Sequence, residues 1–244
     1  GLTFVYTVAV SAPQEAALLR RCRDRRVTAY TPERYALPAP VTPPETRPIV
    51  VGAGPAGLFA ALVLARCGAR PILLERGQCV EQRQQDVARF WCGGPLDTES
   101  NVQFGEGGAG AFSDGKLNTG TRDVRHRYIM EQLVSCGAPA DILTDALPHV
   151  GTDKLHIALQ CLRRQLLEAG ADIRFGARLD GLTVQDGVLT AVTVRQGDTL
   201  YTLPARQVIL APGHSARDTF ELLYAAGLAM EQKPFAMGVR IEHR

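Results

Sequence analysis

Apolar residues recur along this chain with two different periods, and the changes between them divide it into elements. Leu2, Phe4, Tyr6, Val8 and Val10 stand at every second position, the pattern of a half-buried strand over 2–10. Gln14 to Arg25 reads as a helix, and Arg26 to Tyr35 as a short strand or loop. Leu37 to Pro48 contains five prolines. Such a stretch is stiff, extended and poor in hydrogen-bond donors, so it reads as a linker and a domain boundary. Ile49-Val50-Val51 is a wholly apolar run, as in a strand covered on both faces. Pro55 to Cys67 follows as an apolar helix, with Pro55 in the first turn and Gly68 at the C-terminal cap. Pro71 to Leu74 is a second strand. A β-α-β order requires a right-handed crossover and a parallel sheet.

The segment 77–150 is long, rich in glycine in its middle and only partly helical, His126 to Cys136 being its best helix. Long irregular connections inside compact domains are usually functional. Thr152 is placed to cap the next helix, in which Leu155, Ala158, Leu159, Leu162 and Leu166 share one face, and Gly170 ends it. Asp172 to Phe175 is a strand. Runs at 178–184, 188–195 and 199–203, separated by Gln185-Asp186-Gly187 and Gln196-Gly197-Asp198, form a β-meander. Gln207 to Ala211 reads as one more buried strand, ending in Pro212-Gly213. The expected class is α/β. A Rossmann-like domain over 49–225, with the insertion 77–150, is preceded by a small α/β segment over 1–36 and the linker 37–48. Residues 226–244 would begin a further, substrate domain.

Composition narrows the class. The 244 residues are 45% hydrophobic and 21% charged with a formal net charge of +2, enough apolar material for a core and no field that demands a polyanionic partner. Arg20, Arg21, Arg23, Arg25 and Arg26 cluster, but no aromatic residues interleave with them. They read as a solvated helix face, and no nucleic-acid partner is expected. No apolar stretch approaches the roughly 18 residues that span a bilayer, so no membrane association is expected. The six cysteines form no CxxC pair and, like the histidines, show no metal-ligand spacing. They read as reduced thiols of a cytoplasmic protein.

The chemistry concentrates at Gly52-Ala53-Gly54-Pro55-Ala56-Gly57, between the first strand and the first helix. Gly52 permits the tight turn, Gly54 lets backbone approach a pyrophosphate, and Gly57 lets helix and strand pack closely. The helix N-terminus offers free N–H groups and about half a positive charge to phosphates. Glu75 ends the second strand about twenty residues further on, where a carboxylate accepts hydrogen bonds from a ribose. Strand, glycines, helix, strand and acid in this order point to a dinucleotide. FAD and NAD both use such a turn. The meander followed by a strand ending in Ala211-Pro212-Gly213 is similar to flavoproteins of the glutathione-reductase type and favours FAD over an NAD-only dehydrogenase. A nucleotide-binding or RNA-associated scaffold without turnover is the other rival. Cys92 is read as a buried structural thiol rather than a redox partner of a flavin.

Gly110 to Lys116 fits GxxxxGK, but Leu117 replaces the Ser or Thr that would hold a magnesium ion, so a nucleoside triphosphatase is not expected. The glycines of 101–110 cost backbone entropy that close approach to a ligand would justify. Residues 105–116 are therefore expected along the cofactor, with Lys116 offsetting negative charge. Gly213-His214-Ser215 is not a nucleophile elbow. His214 stands either against the ligand or as the cap of a helix starting near Ala216. No catalytic acid or base is assigned.

Val51–Gly57, Phe90-Trp91, Ser100–Lys116, Pro148–Leu155, Gly213–Phe220 and Lys233–His243 resemble the bacterial NAD(FAD)-utilizing dehydrogenase family. The resemblance covers most of 48–244. Family members begin with a longer N-terminal domain and run on past the position of residue 244, so the chain reads as a fragment. Ala111 stands where the family has Thr. The resemblance implies FAD held by Gly52, Gly54, Gly57 and Glu75, with backbone near Leu179 at the adenine and Gly213 near the flavin half. Pro55, Ala56, Arg76, Gly108, Gly110, Lys116 and Ala211 complete the candidate cofactor set. The reaction it implies is hydride transfer between a nicotinamide, NADH or NADPH, and flavin, with the physiological substrate and the oligomeric state open.

Overall fold

The computed structural model describes residues 3, 5–113, 115–117, 123–145, 147–234, 238–239 and 241. A parallel sheet lies at the centre, in the order β3 (Asp172–Arg174), β2 (Ile72–Leu74), β1 (Ile49–Val51), β7 (Val208–Leu210). Ile49 pairs with Ile72 on one side and Val208 on the other. Successive side chains of a strand point to opposite faces, and both faces are covered here. Val50 and Leu73 enter a core with α2 (Pro55–Arg66), α4 (Val124–Ser135) and α5 (Thr152–Glu168). Ile49, Val51, Ile72 and Leu74 enter a second core with Ala177, Leu179, Val192 and Val194 of the antiparallel meander β4 (Ala177–Gln185), β5 (Val188–Gln196) and β6 (Thr199–Pro204). That double burial is why β1 and β2 contain no polar residue. The five apolar residues expected to share one face of α5 are all buried. α5 starts after Gly151 with no side-chain cap, so Thr152 is its first residue rather than its cap.

Four expectations need correction. Among the described residues of 1–36 the regular structure is α1 (Glu15–Arg21), which buries nothing, and residues 5–10 pair with no strand. Val5, Tyr6, Val8 and Val10 are all exposed. Alternation stabilises a strand only where a neighbour completes its backbone hydrogen bonds. Leu2 and Phe4 lie outside the described residues. Second, the proline-rich segment is not a free spacer. Val41 donates to the Cys67 carbonyl (2.8 Å), and Arg47 donates to the carbonyls of Arg70, Pro71 and Gly170, strapping 38–47 along the end of α2 and the start of β2. Third, the insertion holds α3 (Val80–Trp91). Its end, Cys92, is exposed rather than buried, because the chain turns away there through Gly93. Fourth, among the described residues β7 lies at the edge of the sheet, and Ile209 and Leu210 are exposed. The strand expected at 233–243 falls largely on residues outside the description. Lys233 and Pro234 are irregular. Among the described residues, no helix is long and apolar enough to cross a membrane.

Candidate functional site

The carboxyl ends of β1, β2 and β7 open onto a cleft of about 270 Å³. Its floor is the turn 52–56 entering α2. Gly52 has φ +98°, and a methyl group on it would lie 2.2 Å from the Ala211 carbonyl oxygen at the end of β7. A methyl group on Gly57 would lie 1.8 Å from the Gly52 carbonyl oxygen. Gly57 thus seats the helix on its strand and does not line the cleft. Gly54 differs: its missing side chain faces the cleft, with Gly108 Cα as the nearest atom at 3.9 Å. α2 begins there with Pro55 in its first turn and no side-chain cap. The uncapped N-terminus leaves polar N–H groups and the positive end of the helix dipole directed at the space Gly54 keeps open.

Glu75 is buried at the end of β2 and lines the same cleft. Its Oε2 accepts from the Ala53 amide (2.6 Å), and its Oε1 accepts from the amides of Gly77 (2.8 Å) and Gly105 (2.9 Å). A carboxylate has about four acceptor sites. Three are used to tie the fingerprint to the glycine loop 105–108, and one on Oε2 is left for a hydroxyl. The Glu75 carboxylate is thus first a clamp between two loops, a role its position in the sequence does not announce.

The glycine loop is held from behind by charged side chains that sequence reasoning missed. Arg83 of α3 is fully buried. Its Nε donates to the Asn101 carbonyl (2.8 Å), and its Nη2 to that of Val102 (3.0 Å). Its Nη1 donates to the carbonyls of Glu106 (2.7 Å), Gly108 (2.8 Å) and Gly105 (3.3 Å). Burial pulls this guanidinium down to about 10, against the attraction of Glu75 and Glu106, so it stays charged at neutral pH. It also lies over the Phe112 ring at 4.5 Å. Glu106 accepts from the Val80 amide at the start of α3 and from Arg163 Nη1 of α5, each at 2.8 Å. Burial pushes its carboxyl up to about 7 despite those two partners. Arg163 also pairs with Glu81. His156 of α5 contacts the Ala111 carbonyl through Nε2 (2.7 Å) and Gln84 through Nδ1 (2.6 Å). A carbonyl only accepts, so Nε2 carries the proton. None of these groups follows a local motif; each finds its partners only when α3 and α5 pack around the loop.

At the far rim, Arg76 pairs with Glu99 (2.9 Å) and Asp218 (2.9 Å) and stacks on Phe104 at 4.2 Å. Arg178 of β4 shares Glu99 at 2.9 Å. Burial opposes ionisation of Asp218, but Arg76 holds it below the usual carboxylate range. These pairs bind α6 (Arg217–Ala225) and the turn 97–99 to the end of β2.

The structure brings Gly52, Gly54, Pro55, Ala56, Glu75, Arg76, Gly108, Leu179, Ala211 and Gly213 to one cleft, along with His214 and Ser215. Gly57 stands just behind it. Gly110 and Lys116 are exposed and do not line it; Lys116 bridges to His149. Of the stretch expected along the cofactor, 105, 108 and 109 face the cleft, while Ala111 is buried in the core because the chain turns inward through a 3₁₀ turn, Ala109–Phe112. His214 caps nothing: α6 begins after Ala216 without a side-chain cap.

Residues 45–85 match the FAD binding domain family. An uncharacterized protein of Clostridium beijerinckii is 42% identical over 239 residues, covering 98% of this chain and 44% of that protein. Protein FixC of Escherichia coli strain K12 is 30% identical over 202 residues, covering 80% of this chain and 42% of FixC. The chain therefore spans less than half the length of the curated relatives it matches. The crystal structure of Thermovibrio ammonificans THI4 superposes with a TM-score of 0.50 at 18% identity, over 75% of this chain and 64% of that one, a likeness of fold alone. Sheet order and meander are those of a Rossmann-like α/β fold, and residues 45–85, which hold the fingerprint, are similar to the FAD binding domain family.

Proposed function

We propose that the cleft holds the adenosine and pyrophosphate of FAD and that the chain is the cofactor-binding part of an FAD-dependent oxidoreductase. The observation that carries this is the uncapped N-terminus of α2 facing a space kept open by Gly54, beside a buried carboxylate with one acceptor site left. In this reading Gly54 and Ala56 receive the pyrophosphate, Glu75 a ribose hydroxyl, and Arg178 and Leu179 border the adenosine. Gly213 and His214 border the side leading to the flavin ring. FAD, when bound, supplies reversible two-electron transfer, and the protein supplies position and electrostatics. The resemblance to the NAD(FAD)-utilizing dehydrogenase family supports a reduced nicotinamide as the electron donor.

The test is the visible spectrum of the purified chain, before and after titration with FAD and with NADH. Flavin bands, or uptake of added FAD with quenched fluorescence, are expected, with FAD released on heating. A folded, colourless protein that takes up no FAD would overturn the reading. Binding of NADH alone would replace it with an NAD-dependent one. Bleaching of bound FAD by NADH or NADPH under anaerobic conditions checks the donor.

A further inference from the structure

We propose that Cys136 and Cys161 are a redox-sensitive thiol pair that closes to a disulfide joining α4 to α5. Cys136 caps the C-terminus of α4 and is 3% exposed; Cys161 lies on α5 and is partly exposed. One carboxamide touches both sulfurs: Gln165 Nε2 is 3.3 Å from Cys136 Sγ and 3.8 Å from Cys161 Sγ. Two guanidinium groups flank the pair. Arg66 donates to Gln165 Oε1 at 3.0 Å, and Arg164 Nη2 lies 3.7 Å from Cys161 Sγ. A partly exposed thiol in positive surroundings is the kind that meets oxidants as thiolate, whereas a buried one stays inert until a neighbour reacts. Cys161 is the accessible sulfur of the two and Cys136 the buried one. Burial and the adjoining Cys161 thiol push Cys136 up to about 12, so the proton stays on Cys136.

The oxidant named here is hydrogen peroxide. The Cys161 thiolate attacks one peroxide oxygen, the O–O bond breaks, and the departing hydroxide takes up a proton to become water. Cys161 is left as a sulfenic acid. The Cys136 sulfur then attacks the Cys161 sulfur, the S–O bond breaks, and the departing hydroxide takes the Cys136 proton as a second water. Two thiols lose two electrons and two hydrogens, and one peroxide becomes two waters. The cross-link would fix α5, the helix whose Arg163 and His156 hold the glycine loop of the cleft. The inference does not depend on the identity of the cofactor.

The test uses the 244-residue chain with Cys22 and Cys92 changed to Ser, which removes the two exposed thiols, and monomer is separated by non-reducing gel filtration before analysis. Folded protein, verified by circular dichroism, is treated with hydrogen peroxide, alkylated, digested and read by mass spectrometry. The expected product is a Cys136–Cys161 linked peptide that dithiothreitol removes. Cys136→Ser should trap a dimedone-reactive sulfenic acid at Cys161, and Cys161→Ser should leave Cys136 unoxidised. Recovery of both residues as alkylated free thiols would overturn the proposal. So would oxidation of Cys161 in the parent chain with no linked peptide, or a dimedone adduct at Cys136 in Cys161→Ser.

Discussion

At the scale of single residues, two glycines three positions apart do different work. A methyl group on Gly57 would sit 1.8 Å from the Gly52 carbonyl oxygen, but on Gly54 it meets nothing nearer than 3.9 Å. Gly54 has φ −71°, an ordinary value for any residue. Gly57→Ala should therefore destabilise the chain by on the order of 3 kcal/mol, since backbone must move to admit the methyl group. Gly54→Ala should melt within a few degrees of the parent, yet bind FAD at least about tenfold more weakly, or ~1.4 kcal/mol, because the methyl group stands where phosphate would approach. Urea melts and FAD titrations of both variants check this. Unchanged FAD affinity in Gly54→Ala would remove the turn from the site. The positions of both glycines were legible in the sequence, and so was the close packing of helix on strand at Gly57. That Glu75 spends three acceptor sites on backbone amides was not legible, because two of the donors, Ala53 and Gly105, lie 22 and 30 residues away along the chain.

At the scale of elements, the legible ones bury a regular apolar pattern. α2, α5, β1, β2 and the meander were each expected within a few residues of where they lie. α3 was not, because its twelve residues, Val80 to Trp91, bury only Val80 and Val87 as apolar contacts and otherwise turn Arg83 and Asp86 inward. A buried arginine breaks the rule that an amphipathic helix shows its charges to water. It is tolerated because five carbonyls of 101–108 and two nearby carboxylates surround it. Arg83→Met keeps much of the volume and takes the guanidinium from all five carbonyls; those of Gly105 and Gly108 still accept from the amides of Gly108 and Ala111, whereas those of Asn101, Val102 and Glu106 lose their guanidinium donor. It should cost roughly 3–5 kcal/mol, and proteolysis should then cut first within 101–110. A urea melt with limited chymotrypsin digestion, which can cut after Phe104, reads both effects. A variant as stable as the parent would show that the loop holds its shape without the guanidinium. The residue 2–10 pattern failed in the opposite sense: a regular alternation with no neighbouring strand among the described residues to pair with.

At the scale of the whole molecule, stability depends on pH through groups that pull in opposite directions. Burial holds the Glu106 carboxyl up at about 7, above its ordinary value of 4.5. Its contribution is therefore full below about 4.5 and is lost as pH rises toward 7, because the folded state must give up a proton the unfolded state has already released. Asp180, held down by Arg195 and Arg178, and Asp218, held down by Arg76, act the other way. They contribute above the ordinary carboxylate range, and that contribution is lost on acidification. Glu106→Gln removes only the first effect. The stability advantage of the parent over this variant should be largest below about pH 4.5 and narrow as pH rises through about 7. A pH-independent difference would mean that Glu106 stays ionised throughout, as its contacts with Arg163 and the Val80 amide alone would have it.

What the sequence determined by itself was everything that depends on near neighbours: periods of apolar residues, proline and glycine at helix ends, turns between antiparallel strands, and the glycine fingerprint between a strand and a helix. Each is a property of a few consecutive residues, so it survives reading without coordinates. Only the tertiary structure decided which carboxylate became a clamp, which arginine went inside, where the proline-rich segment was strapped, and which glycines of 101–116 reached the cleft. Those outcomes come from partners that lie tens of residues apart along the chain. A buried charge or polar backbone group is stable only where such distant partners meet it, and that meeting is made by the fold.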